Sequence, residues 1–303
     1  MKKPLGVLLV WVGLSTAFVA EPGTPNTLNV AAQTDGVDTT NDIERSLAAQ
    51  LAPCNGIFID AGANVGMHAR FLFEPRFYNT STFLPVFDEF FGPAPARERV
   101  GGVSRLCAIA FEPNPAHRQR FERLSEAYNQ AGMRLVYAPY GVSDARGNLT
   151  FYHNTGHTAQ ELAFSTSRQS ADAEEVVIDT IDLARMLTLL TAQRRRVVVM
   201  KMDIEGSEFM VLPHLIAHGA FCNMLDHASV EFHERYAPFH FTGHQMASSL
   251  ATEAGALTTK TVLTSMVRDS GDGCRTRRID ERDDERYRAD RSPEQLEHPS
   301  VVA

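Results

Sequence analysis

Positive charge is what this chain is short of. Across 303 residues the formal net charge is −8, and that balance excludes a general nucleic-acid binder, which needs a basic face for phosphates. No repeat is visible along the chain. Cysteine is scarce: four residues allow three pairings, and sequence alone does not choose among them. Long apolar runs are also missing. The stretch from Leu5 to Ala20 falls short of the roughly 20 residues that a spanning helix needs. Because it follows Lys2 and Lys3, it reads as a secretory signal over residues 1–20, cleaved near Ser15-Thr16-Ala17 or at Ala20, or else kept as an anchor.

The Pro/Thr/Asn-rich stretch from Glu21 to Thr39 reads as a linker (21–40), so membrane attachment is expected only through the N-terminal segment. The expected location is the secretory pathway, in the lumen or outside the cell. With 44% hydrophobic and 22% charged residues, the chain has ordinary globular composition. One α/β domain over 41–280 with an insertion is expected, then a charged tail over 281–303.

The organising stretch is Ile57 to Gly66, IFIDAGANVG. Three apolar residues make a buried strand, Asp60 stands at its end, Gly62 and Gly66 bracket a tight turn, and Met67 to Glu74 continue as a helix. This is the opening of a doubly wound, mostly parallel sheet, where ligands bind beyond the carboxyl ends of the strands. The loop has Asn64 where a dinucleotide fingerprint needs glycine, so an NAD-dependent oxidoreductase is disfavoured. S-adenosylmethionine carries a sulfonium, an ammonium and a carboxylate instead of a phosphate. Asp60 suits the ammonium, and the helix start suits the carboxylate.

Further along, Asn41 with Glu44 has capping-box spacing ahead of a helix over 42–51. Residues 75–104 hold six aromatic residues among prolines and glycines: Phe77, Tyr78, Phe83, Phe87, Phe90 and Phe91. They read as an aromatic layer against the sheet in preference to a substrate lid. Strands are expected at Leu106–Phe111, Leu135–Ala138, Leu149–His153, Val176–Ile178, Val197–Met202, Ala228–Phe232 and Thr258–Val267. Helices are expected from Pro115 to Ala131, from Thr180 (as cap) to Ala192, from Ser207 to His218 across Pro213, and from His244 to Glu253. Asn154 to Ala173 reads as a loop and Asp272-Gly273 as a turn. Cys54 and Cys107 both precede strands of the sheet and would share one end of it; a bridge and two buried thiols are the alternatives. Asn79-Thr80-Ser81 and Asn148-Leu149-Thr150 are glycosylation sequons.

Asp60, Glu112, Asp144, Asp203 and Glu231 all fall at or near strand ends, which a parallel sheet gathers on one edge. Glu112 stands where an acid would bond both ribose hydroxyls, and Ser143 with Asp144 could reach the adenine. Lys201, Asp203, Glu205 and Glu208 directly follow or close an apolar strand, where charges are costly unless paired.

FIDAGANVG, AIAFEPNP, GVSD, KMDIEGSE and SVEFH, in that order, resemble the FkbM-type methyltransferase family over Ile57 to His233. The resemblance implies a class I, Rossmann-like fold, S-adenosylmethionine as cofactor, and O-methylation of a hydroxyl on a glycan or small metabolite. It carries Asp60, Gly62 and Glu112 over as cofactor contacts and Asp203 with Glu205 as the DxEG signature. A hydroxyl must lose its proton, which needs a base or a metal. Asp203 is the first candidate base, with Glu231 and His233 as alternatives. No metal is assigned, although Asp203, Glu205 and Glu231 are oxygen ligands that a divalent cation could use. A non-catalytic binding protein acting through the aromatic insertion is the competing expectation.

Overall fold

A computed structural model describes residues 42–97, 105–153, 164–166, 168, 171–192, 195–231, 233 and 276–278. The expected leader, linker, helix over 244–253, strand over 258–267, turn at 272–273 and charged tail lie outside these residues. So does Asn41. Asp42 caps α1 (Ile43–Leu51), its carboxylate accepting from the Arg45 amide at 3.2 Å. Glu44 does not fold back on that cap. It is buried and accepts from the Asp182 amide at 3.1 Å, tying α1 to the start of a later helix.

β1 (Gly56–Ala61) is buried at every residue and leads into α2 (Met67–Phe73). A single 3-10 turn (Pro75–Phe77) then precedes α3 (Leu84–Phe91) and α4 (Ala94–Arg97). Next come β2 (Leu106–Phe111), a 3-10 turn (Pro115–His117) and α5 (Arg118–Gln130). α5 buries Phe121, Leu124 and Tyr128 on one face. After it come β3 (Arg134–Ala138), β4 (Gly141–Ser143), β5 (Gly147–His153), β6 (Phe164–Ser165) and β7 (Glu174–Asp182). The chain continues through α6 (Leu183–Thr191), β8 (Val197–Met202), α7 (Glu208–Ala217), α8 (Ala220–Met224), β9 (His227–Val230) and β10 (Thr276–Arg278).

Six strands form one sheet in the order β10-β9-β8-β1-β2-β3, each parallel to its neighbours. The chain works outward from β1 through β2 to β3 and then returns to β8 on the other side of β1. The switch point of the sheet is therefore at β1, and a ligand crevice belongs at its carboxyl end. Successive side chains alternate between two cores, as a strand requires. Ile57 and Ile59 join Leu47, Leu183 and Phe209 on one side. Phe58 joins Phe71, Phe121 and Tyr128 on the other.

The aromatic segment packs on this second side. Tyr78, Phe83 and Phe87 are buried, and the Phe87 ring meets Phe58 edge-on at 4.9 Å. Among its described residues the segment is thus a layer on the sheet, as its composition predicts.

Four local expectations are corrected. β4 pairs with β7 in a separate four-stranded sheet, β4-β7-β5-β6, so the chain leaves the main sheet after Ala138. The short extended piece at Val176–Ile178 is the middle of the nine-residue β7, and β6 lies inside the stretch expected to be a loop. Thr180 stays in β7, and Asp182 caps α6 by accepting from the Arg185 amide at 3.0 Å. α7 runs on through Pro213.

Cys54 and Cys107 form a disulfide that closes a 53-residue separation and staples the amino ends of β1 and β2. Constraining a loop of that length stabilises the native state by roughly 2–5 kcal/mol. Cys54→Ser should lower the unfolding free energy in denaturant titration by about that amount.

Candidate functional site

Three loops meet at the carboxyl edge of β1, β2 and β8. Gly62 and Ala63 both donate their amides to the Phe111 carbonyl at 3.0 Å, and the Asp203 amide donates to the Ala61 carbonyl at 3.0 Å. Gly62 has φ +79°, and a Cβ there would stand 1.7 Å from the Asp203 carbonyl oxygen. No side chain fits. The glycine is required both by its backbone conformation and by main chain pressed against main chain.

Glu112 binds the first two loops together. Its carboxylate accepts from the Asn64 amide at 2.6 Å and from the Asn114 amide at 2.8 Å. Burial pushes the Glu112 carboxyl up to about 8, against the pull of those two amides and of Lys201. When the group is ionised, each carboxylate oxygen keeps a second lone pair for another donor.

Lys201 sits beneath the loops, 1% exposed. Register puts it directly beside Asp60 on the neighbouring strand. Its ammonium donates to the Gly62 carbonyl at 2.5 Å and pairs with Asp203 Oδ2 at 3.0 Å and Asp60 Oδ1 at 3.7 Å. A buried lysine is tolerated because carboxylates and a carbonyl replace its water.

Beyond β8 the chain turns through Glu205 (φ +52°) and Gly206 (φ +105°) into α7. Glu208, fully buried at the first position of that helix, accepts from the Ile204 amide at 2.9 Å and the Gly206 amide at 2.8 Å. His233 reaches the same carboxylate with Nδ1 at 2.9 Å. Its Nε2 lies 3.7 Å from Asp203 Oδ1 and 3.7 Å from Glu205 Oε2. Burial pulls the imidazolium down, but the hydrogen bond and charge of Glu208, with Glu205 and Asp203, outweigh it and raise His233 to about 9. Ligand atoms of Asp203, Glu208 and His233 lie within 4.8 Å of one another, close enough to hold a metal ion. Glu208 is at the same time engaged by two amides and by His233.

A cleft opens above this network. Gly62, Asn64, Glu112, Asp203 and Glu205 line it. Asp60, Lys201, Glu208 and His233 stand behind that lining, and Gly66 (φ +82°) starts α2. Glu231 comes directly after β9, its amide donating to the Met202 carbonyl at 2.9 Å. Ser143 and Asp144 do not line the cleft; at the end of β4 they bond each other at 3.1 Å. Their neighbours Gly141 and Val142 do reach it. The lining also includes Asn114, His117, Tyr140, Phe151 and Phe164, none singled out by sequence. Phe151 and Phe164 stack at 5.0 Å. Asn114 had a signal, because it lies inside the AIAFEPNP stretch. The two phenylalanines, on separate strands of the small sheet, had none.

Buried carboxylates gathered at the switch point of a parallel sheet, beside a glycine turn without a dinucleotide fingerprint, define a Rossmann-like fold of the methyltransferase kind. Known proteins agree. Residues 60–255 match the Methyltransferase FkbM domain, and the chain belongs to that family. It is similar to Methyltransferase 1 of Beauveria bassiana (strain ARSEF 2860), 27% identical over 172 residues. That match spans 53% of this chain and 58% of the relative. No solved structure matches.

The His233 ion pairs set a pH dependence. Its folded pKa of about 9 exceeds the unfolded 6.5. The stabilisation is therefore complete below pH 6.5 and is lost as pH rises through 9. Unfolding free energy should fall across that window by on the order of 3 kcal/mol more in the native chain than in His233→Gln. Glu112 titrates in both proteins, so the difference isolates His233.

Proposed function

We propose that the chain is an S-adenosylmethionine-dependent methyltransferase acting on a hydroxyl of a glycan or small metabolite. The observation that supports this most is the Lys201-centred network of Asp60, Gly62 and Asp203 beside Glu112 in a chain of the FkbM family. When bound, the cofactor supplies a methyl group already activated on its sulfonium. The residues present fit it. Glu112 has lone pairs left for the ribose hydroxyls, Phe111 and Val142 offer apolar walls, and Gly62 leaves the backbone bare. Asp60 is fully buried behind the turn, so it acts on the ammonium through its charge.

Asp203 takes the proton that the acceptor hydroxyl gives up. It lines the cleft, whereas Glu231 and His233 do not. Three acids in the lining, Glu112, Asp203 and Glu205, disfavour nucleic acid as an acceptor. The Cys54–Cys107 bridge supports a secretory location, because disulfides persist in oxidising compartments. The competing reading, a non-catalytic protein that binds through its aromatic insertion, is weakened by burial of Tyr78, Phe83 and Phe87.

The decisive measurement is calorimetric titration of the full chain with S-adenosylmethionine, followed by methyl transfer to a glycan and metabolite panel. Asp203→Asn should cut transfer by at least about a hundredfold while cofactor affinity stays within about twofold. A folded chain that does not bind the cofactor refutes the proposal.

A further inference from the structure

Glu208 has a part that methyl transfer through Asp203 leaves unused. It is fully buried, faces the protein interior and does not line the cleft. Yet it gathers three donors: the Ile204 amide, the Gly206 amide and His233 Nδ1. The two amides belong to the turn that carries Asp203 and Glu205 into place. The imidazole comes from the far side, just beyond β9, 25 residues later in the chain. One carboxylate thus fixes both the turn and the ring.

The consequence lies at the other ring nitrogen. With Nδ1 held at 2.9 Å, Nε2 is aimed between Asp203 Oδ1 and Glu205 Oε2, each 3.7 Å away. Asp203 Oδ2 is meanwhile held by Lys201 at 3.0 Å. The candidate base is therefore bracketed, one oxygen by an ammonium and the other by an imidazole. Charged groups facing His233 come from α7 (Glu208) and from the turn after β8 (Asp203 and Glu205). This is the layout of a carboxylate that orients a histidine against a reacting group.

We propose that Glu208 is a positioning residue acting through His233: it holds the ring by Nδ1 so that the Nε2 side faces Asp203 and sets that carboxylate to receive the acceptor's proton. The proposal rests on the methyltransferase reading. It implies that His233 is not the base, because Glu208 holds its Nδ1 and the ring does not line the cleft.

The test compares Glu208→Gln, His233→Gln and the double variant in the full chain, each checked for folding by circular dichroism. If Glu208 acts through His233, each single change lowers kcat by up to about a hundredfold. The KM for S-adenosylmethionine and its calorimetric affinity stay near the native values. The double variant loses no more than His233→Gln alone. Two further readouts separate positioning from simple support of the turn. The acid limb of the pH–rate profile moves to higher pH in His233→Gln, because a cation beside the base is gone. By NMR, the His233 ring titrates at about 9 in the native chain and lower in Glu208→Gln.

Multiplicative losses in the double variant, or an unmoved acid limb in His233→Gln, would overturn the inference. Should Glu208→Gln not fold, the His233→Gln profile decides alone. A native chain that binds the cofactor but methylates no acceptor overturns the function reading and this inference with it. Native transfer with multiplicative losses overturns this inference only.

Discussion

The site depends on one buried ammonium. Lys201 stands where three segments press together, and its three partners each belong to a different need of the fold. The Gly62 carbonyl belongs to the turn, Asp60 to the central strand, and Asp203 to the loop beyond the adjacent strand. Without it, two carboxylates that are almost wholly shielded from water would lose the ammonium they share. Breaking a buried pair of this kind costs about 3–5 kcal/mol. The same ion that holds the loops therefore also lets acids accumulate at the edge of the cleft. Stability and function draw here on a single charge, which explains why the strand gives an interior position to lysine.

A second constraint works from the opposite end of the strands. The disulfide joins the amino ends of β1 and β2, while Glu112 and the Phe111 carbonyl join the loops at their carboxyl ends. The two central strands are thus tied at both extremities. Their register is fixed twice over, and with it the alignment of Asp60 against Lys201.

The sheet was legible in the sequence for a simple reason. β1 and β2 are apolar runs closed by an acid, β8 is one interrupted only by Lys201, and strands buried on both faces read as near-continuous apolar runs. The convergence of Asp60, Glu112, Asp203 and Glu231 on one edge is then a matter of parallel geometry. Asp144 shows where this logic stops. It too comes after a strand, but that strand belongs to the other sheet, and nothing local in Gly141–Ser143 says which sheet it joins. β7 was hidden because its outward face carries Glu175 and Asp179 and its first residue is Glu174, so only its centre looked extended. The caps were misread for a related reason. Asn41, Asp42, Thr180 and Asp182 are all chemically suited to cap, and only the path of the chain selects Asp42 and Asp182. The meeting of Glu208 with His233 across 25 residues is a tertiary event with no periodic trace.

The cleft has two walls built on separate sheets. The carboxylate wall rests on the main sheet and its two cores, whereas Phe151 and Phe164 pack in a small cluster of their own with Ile178. None of the three buried residues of that cluster belongs to either core of the main sheet. Shape on the aromatic side of the cleft is thereby packed separately from the charge balance on its acidic side.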